Sequence, residues 1–247
     1  MKNLLIYINP DRKFDEETQI LVKIQIDNSL DLGWKREDIM LVTNFDYEYD
    51  GVKALVINDS AYCSIRPHST KTTTIHYLFE HELIESGILY WVHDFDNFQS
   101  VPISKIEAKI LIGFLDMGLS DYGRLPKWST GSIFFRIGAR DIFKLMTETI
   151  YKKHIDEEKA LSKLTNENIN DITSRVKKIN ISYNFQVNDL QLYYPEALKP
   201  LRVLHFHPFK NNLGKNPLDF FLHGNNEIST VLASKRLINI FKKYDIA

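Results

Sequence analysis

The stretch GILYWVHDFDNFQS, residues 87–100, is an apolar run that ends abruptly in two aspartates with one residue between them. Ile88 to Val92 is short, aromatic and β-branched, and it is bounded by Gly87 and by polar residues, which is the pattern of a buried strand. Asp94 and Asp96 then fall at its carboxyl end. In an open α/β sheet, ligands bind in the crevice beyond the carboxyl ends of the strands, where loops converge without disturbing the sheet. Two carboxylates there point to Mg²⁺ or Mn²⁺, hard cations that keep several waters and bind through one or two carboxylates plus substrate phosphates. A nucleoside diphosphate is the partner such a site implies. An isolated Asp-x-Asp is a weak motif that a solvated turn also produces. Its weight here comes from the apolar strand before it and from other segments of the chain.

Upstream, Leu4 to Ile8 reads as the first central strand, broken by the turn residues Asn9, Pro10 and Asp11. Asp15 caps a helical pattern that runs to about Leu30, with Leu21, Ile20 and Ile24 on one face and Gly33 at the end. Strand followed by helix is a Rossmann-like opening, and Ile39–Val42 and Ala54–Ile57 supply two more short apolar strands. Neither GxGxxG nor GxxxxGK[ST] occurs, which removes the dinucleotide fingerprint and the P-loop. A helix is expected from about Lys71 to Glu85, leading into the strand before the aspartates. Lys71 near its start adds a point charge where free backbone amides already favour anions.

Downstream, Ile110, Leu111 and Ile112 read as a further strand. A small-residue turn, Ser129, Thr130 and Gly131, is expected before a strand over Ile133–Ile137, and Trp128 beside it either stacks on a sugar ring or packs in the core. Ala139–Lys153 has the spacing of an amphipathic helix, with Ile142, Leu145, Met146 and Ile150 on its inner face. Asp156, Glu157 and Glu158 follow, either as first-turn acids that complement a helix dipole or as a source of a general base. Strand character returns over Arg175–Ile181 and again at Val203–Phe206, where His205 and His207 project from one face because strand side chains alternate. Leu218–Tyr244 reads as largely helical.

The 247 residues show no Pro, Gly or Ser-rich linker, so one domain over 1–247 is expected, with about 211–247 as a C-terminal helical extension. A 44% hydrophobic and 26% charged composition is that of an ordinary globular chain. A net charge of −1 gives no field to draw nucleic acid, apart from a local basic group at Arg175, Lys177 and Lys178. Cys63 is the single cysteine, which excludes a disulfide framework and a cysteine-based zinc site. With no apolar segment near the roughly 20 residues of a membrane span and no cleavage-site pattern at the start, a cytoplasmic protein is expected.

Taken together these segments resemble the nucleotide-sugar glycosyltransferases of the GT-A fold, over most of residues 1–210. The resemblance implies an α/β fold of GT-A type, a Rossmann-like, mainly parallel twisted sheet flanked by helices. It implies that Asp94 and Asp96 hold Mn²⁺ or Mg²⁺ against the donor diphosphate, that Asn9 and Lys71 lie at the nucleotide, and that Ser129, Thr130 and Gly131 approach the donor sugar or acceptor. Glycogenin-like members end the catalytic domain with HFxG and a following KPW, whose histidine is the third metal ligand and whose lysine meets phosphate. VLHFHPFK puts His205 in that place with His207 as its neighbour, but Pro208 replaces the glycine and KPW is missing, so Lys210 or Lys215 takes the phosphate. Asp156 and Glu157 are the acids this resemblance offers as general base. The implied reaction moves a sugar from a nucleoside-diphosphate sugar, with uridine the commonest base in such enzymes, to a glycan, protein or lipid-linked acceptor. Two rivals stand beside it. A nucleotidyltransferase would use the same carboxylates, but INPDRKFDEE lacks the Gly-rich loop that such enzymes carry. A non-catalytic sugar or protein-binding module would keep the fold alone.

Overall fold

The computed structural model describes residues 1–187, 190–206 and 235–244. Along the chain the elements begin β1 (Lys2–Tyr7), α1 (Glu16–Asp31), β2 (Ile39–Thr43), β3 (Glu48–Tyr49), β4 (Val52–Lys53), β5 (Leu55–Val56), α2 (Thr70–Glu80) and β6 (Tyr90–His93). They continue β7 (Asn97–Gln99), α3 (Lys105–Ile112), β8 (Met117–Asp121), β9 (Trp128–Phe135), α4 (Arg140–Lys153), α5 (Glu157–Asn166), α6 (Ile172–Arg175) and β10 (Val176–Ile179). The last are β11 (Phe185–Gln186), α7 (Leu190–Tyr193), β12 (Val203–His205) and α8 (Lys235–Lys243). Two compact units share the chain: Met1–Phe14, Arg36–Asp94 and Ser104–Ile179 make the first, and Asp15–Lys35, Phe95–Ile103 and Asn180–Ala247 the second.

The first unit is built on a seven-stranded sheet in the order β10-β8-β9-β6-β1-β2-β5. Only β9 runs antiparallel to its neighbours; the other four pairings are parallel. All four residues of β6 are buried, as befits a central strand covered on both faces. On one face Tyr90 stacks on Phe135 at 5.4 Å, and Phe135 meets Phe143 of α4 edge-on at 5.1 Å. Phe79 of α2 packs 5.9 Å from both Phe135 and Phe143. On the other face Trp91 stacks with Phe134 at 5.9 Å and donates from Nε1 to Ser132 Oγ at 2.8 Å. Aromatic pairs of this kind contribute beyond the area they bury.

The second unit contains a three-stranded sheet, β11-β12-β7, with β12 antiparallel to β7 and parallel to β11. Asp15 caps α1 as its sequence position implied, accepting from Thr18 N at 2.7 Å. Polar side chains of α1 fix the segment after Asp94: Gln25 Nε2 donates to the carbonyls of Phe95 and Asn97 at 2.8 and 2.7 Å, and Asn28 Nδ2 to that of Gln99 at 3.1 Å. Phe98, Phe206 and Phe241 form an aromatic trio with centroids 4.9 to 6.4 Å apart. The helix expected at the end of the chain is present over Lys235–Lys243, whereas 207–234 lie outside the described residues.

Three expectations are corrected. Ile110–Ile112 is the end of helix α3, not a strand: Ser104 caps it by accepting from Glu107 N at 3.0 Å, and Ala108 and Ile112 are buried one turn apart. A short apolar run carries no period of its own, so strand and helix were not separable there. Ser129, Thr130 and Gly131 form no turn; they lie inside β9, where all eight residues are buried and small side chains answer to crowding. The helix into Gly87 ends at Glu80, since Leu83 N turns back to Leu78 O at 2.9 Å with Glu82 in the left-handed region (φ 56).

Arg175, at the end of α6, ties three elements of the first unit. Its Nε meets Asp116 Oδ2 at 2.7 Å, its Nη1 and Nη2 meet the two Asp141 oxygens at 2.7 and 2.6 Å, and Nη2 also donates to Gly138 O at 2.6 Å. Hydrogen bonds from Arg175 hold the Asp141 carboxyl below the usual carboxylate range. Arg175→Met is expected to lower stability by about 1–3 kcal/mol in chemical denaturation, the cost of leaving partly buried charged groups without their partner. Because the folded Asp141 pKa is depressed, its contribution is complete above the unfolded value of about 3.9 and disappears as pH falls through the folded one. The gap between wild type and R175M therefore narrows at acid pH, and a gap that is constant from neutral pH down to acid would refute the assignment.

Candidate active site

Asp94 follows the last residue of β6 directly, and its N–H donates to Gly131 O at 2.9 Å, continuing the β6–β9 register one step past His93 and Ser132. Lys71, the second residue of α2, is buried. Its Nζ ion-pairs with Asp94 Oδ1 and donates to Thr130 O at 2.6 Å. Burial by itself would depress the Lys71 ammonium, but Asp94, Glu157 and Glu158 outweigh it and hold the pKa above that of an ordinary lysine. The cation is therefore permanent, and Asp94 is its direct carboxylate partner.

The three acids at the start of α5 divide their work. Asp156 is the N-cap, accepting from Lys159 N at 2.8 Å and pairing with Lys159 Nζ at 2.7 Å. Although burial pushes its carboxyl up, the Lys159 contacts bring it below the usual range. Glu157 is buried and takes hydrogen bonds from the hydroxyls of Ser69 and Thr130, the latter at 3.3 Å. Glu158 accepts from Thr130 N at 3.0 Å, and burial, with Glu157 beside it, pushes its carboxyl above the ordinary glutamate value. Sequence reasoning placed Asp156 and Glu157 ahead of Glu158 among the candidate bases. Three consecutive acids look alike on paper, although the preference of aspartate for an N-cap was the signal that separates the first from the other two.

Thr130 and Gly131 thus meet Lys71, Asp94 and the α5 acids through backbone as much as side chain. Other expected residues lie apart from this group. Ser129 lies nearer the start of β9, opposite Ser120. Trp128 is 3% exposed and donates from Nε1 to Thr165 Oγ1 at 2.9 Å, so it is a core residue. Asn9 stitches the ends of β1 and β2 together: its N–H donates to Asn44 Oδ1 at 3.0 Å and its carbonyl accepts from Asn44 Nδ2 at 2.7 Å. Asn9 Oδ1 also accepts from Asp11 N at 3.1 Å, so the side chain shapes the turn after β1.

In the second unit Asp96 and His205 face each other. Strand β12 is pinned to the Asp-x-Asp segment by Phe206 N donating to Asp96 O at 3.0 Å and by the pairing of His205 with Asn97. His205 is buried, its Nδ1 lies 3.0 Å from Asn184 Oδ1 and its Nε2 3.5 Å from Asp96 Oδ1. An amide oxygen can only accept, so Nδ1 carries a proton and Nε2 is the ring nitrogen that faces the carboxylate. Carboxylate and imidazole donors can hold a divalent cation, and Asn184 orients the imidazole from behind in the usual manner of a metal-binding histidine. His207 and Lys210 lie outside the described residues.

No family model matches the sequence, and no curated protein matches it. Solved structures do. The galactosyltransferase LgtC, crystallised with donor and acceptor sugar analogues, is 11% identical with a TM-score of 0.60, over 97% of this chain and 100% of its own. The glycosyltransferase GlyE of Streptococcus pneumoniae TIGR4 is 10% identical with a TM-score of 0.57; the match takes in 99% of this chain and 64% of GlyE. Mouse xyloside xylosyltransferase 1 is 11% identical with a TM-score of 0.51, over 86% of this chain and 99% of the enzyme. At such identities the likeness is one of fold. The mainly parallel sheet with its flanking helices is the GT-A type fold of these glycosyltransferases.

Proposed function

We propose that this chain is a metal-dependent glycosyltransferase that moves a sugar from a nucleoside-diphosphate sugar, a UDP-sugar first among them, to a hydroxyl of a glycan, protein or lipid-linked acceptor. The observation that carries the reading is the Asp96–His205 pair, oriented by Asn184, on a chain whose fold is that of glycosyltransferases. Asp94 is joined to Asp96 through Phe95 alone. A bound Mn²⁺ or Mg²⁺ would neutralise the charge that develops on the departing nucleoside diphosphate. Lys71 pairs with Asp94 and adds its own positive charge for a phosphate or sugar oxygen.

Glu158 is the acid best suited to take the acceptor proton, since a base works best when its pKa is raised toward the working pH. As that proton passes to Glu158, the acceptor oxygen bonds to the anomeric carbon. The bond from that carbon to the diphosphate breaks, with its electron pair leaving on the diphosphate. Asp156 has no part in this beyond capping α5, and Glu157 positions Thr130 and Ser69.

Calorimetric titration of UDP and GDP in Mn²⁺ and then in EDTA tests the donor site. Binding that needs metal in the wild type and is lost in Asp96→Ala and His205→Ala is expected; well-folded protein that binds neither nucleotide in either condition sinks the proposal. Glu158→Gln is expected to lower kcat by about 100-fold or more, the range of a lost general base, while nucleotide affinity stays within about 3-fold. Since the Glu158 pKa is raised, activity should fall on the acid side at a higher pH than an ordinary glutamate would dictate, and that limb should be absent from the residual activity of E158Q. Asp156→Ala should instead cost about 1 kcal/mol of stability and leave kcat nearly intact. A larger loss of kcat in D156A than in E158Q would reverse the two roles.

A further inference from the structure

Helix α3 and the turn after it carry an apolar stripe that nothing in the described residues covers. Ile106 and Ile110, one turn apart, are 73% and 70% exposed, and Phe114, which follows the chain reversal at Gly113, is 101% exposed. The inner face of the helix is firmly seated, because Ala108 and Ile112 are fully buried and Gly118 of β8 admits Ile112: a Cβ on Gly118 would stand 2.5 Å from Ile112 Cγ2. The outer face therefore cannot roll inward to hide the stripe. Single exposed apolar residues are ordinary, but three large ones within nine positions, with the aromatic as exposed as in an open peptide, mark an interaction surface.

The charges beside the stripe choose the occupant. Lys105 and Lys109 alternate with the isoleucines along α3, and Lys177 of β10 donates to Ile110 O at 3.3 Å, which brings a third ammonium to the same turn. Glu107 is the one acid on the helix, and Lys105 has a loose pairing with Asp38 at 3.9 Å. Large apolar side chains between long lysines form the pattern of a segment that lies in a lipid headgroup layer, the apolar tips entering and the ammonium groups meeting anionic phosphates. A second copy of the chain fits less well, because a symmetric contact through this stripe would set Lys105 and Lys109 against their own counterparts. We propose that the α3 stripe, Ile106, Ile110 and Phe114 with Lys105, Lys109 and Lys177, docks this protein peripherally on an anionic membrane surface. No helix among the described residues is long and apolar enough to cross a membrane, so the contact is one of surface binding. The proposal is independent of sugar transfer and would hold for a protein of any activity.

Vesicle co-sedimentation tests it, with equimolar phosphatidylcholine and phosphatidylglycerol in one arm and phosphatidylcholine alone in the other. Binding to the anionic vesicles that weakens with added salt is expected. It should fall by at least about tenfold in Ile106→Ser/Ile110→Ser/Phe114→Ser and in Lys105→Glu/Lys109→Glu, since apolar burial and charge each supply part of the affinity. These side chains are exposed, so unchanged thermal melts should accompany the loss, and binding of free phosphate or glycerophosphate would not be altered by the apolar variant. No binding to either vesicle, or binding that survives both sets of substitutions, overturns the proposal. So does a concentration-dependent dimer, seen by light scattering, that the same serine substitutions abolish.

Discussion

A buried ammonium holds the first unit's candidate site in shape. Lys71 gives up most of its hydration, a cost met only because Asp94, the Thr130 carbonyl and the two glutamates of α5 surround it. That one charge reads the positions of three segments far apart in sequence: the start of α2, the end of β6 and the start of β9. Were any of them displaced, an unpaired charge would be left inside the protein. The same arrangement sets Lys71 against Asp94 as an ion pair, while burial raises the Glu158 carboxyl.

The second unit reaches a comparable end with neutral groups. Gln25 and Asn28 of α1 hold the backbone after Asp94 by side-chain amides, and Asn184 sets the imidazole of His205. Buried amides donate and accept at once, so they satisfy strand-edge carbonyls that would otherwise be stranded without water. Arg236 is the charged exception, donating from Nη1 to Asn28 Oδ1 at 2.7 Å.

Much of this was legible from the order of residues alone. The strand at 90–93, its two aspartates, the Asp15 cap, the amphipathic α4 and the strand of His205 all follow from local pattern, because each depends on residues within a turn or two. What escaped was long-range. That Lys71 would pair with Asp94 and Thr130 required the sheet to bring positions 71, 94 and 130 together, and no local signal encodes that. Glu158 differs from Glu157 in its partner, the Thr130 amide where Glu157 meets the hydroxyls of Ser69 and Thr130. The helical character of 105–112 was obscured because exposed isoleucines at 106 and 110 interrupt its outward polar positions.

The reversed direction of β9 has a further effect. Because it runs opposite to β6, the beginning of β9 and the end of β6 fall side by side, and Thr130 and Gly131 enter the site from within a strand. One wall of the site is thus sheet backbone. Evolution can lengthen or replace a loop with little penalty, but a residue added here must be absorbed by a bulge, such as the register shift β9 already shows against β8 after Leu119, or it turns the side chains beyond it to the opposite face. Descendants of this chain that change their ligand would have to do so from the other walls, leaving this one as the fixed edge against which new specificities are drawn.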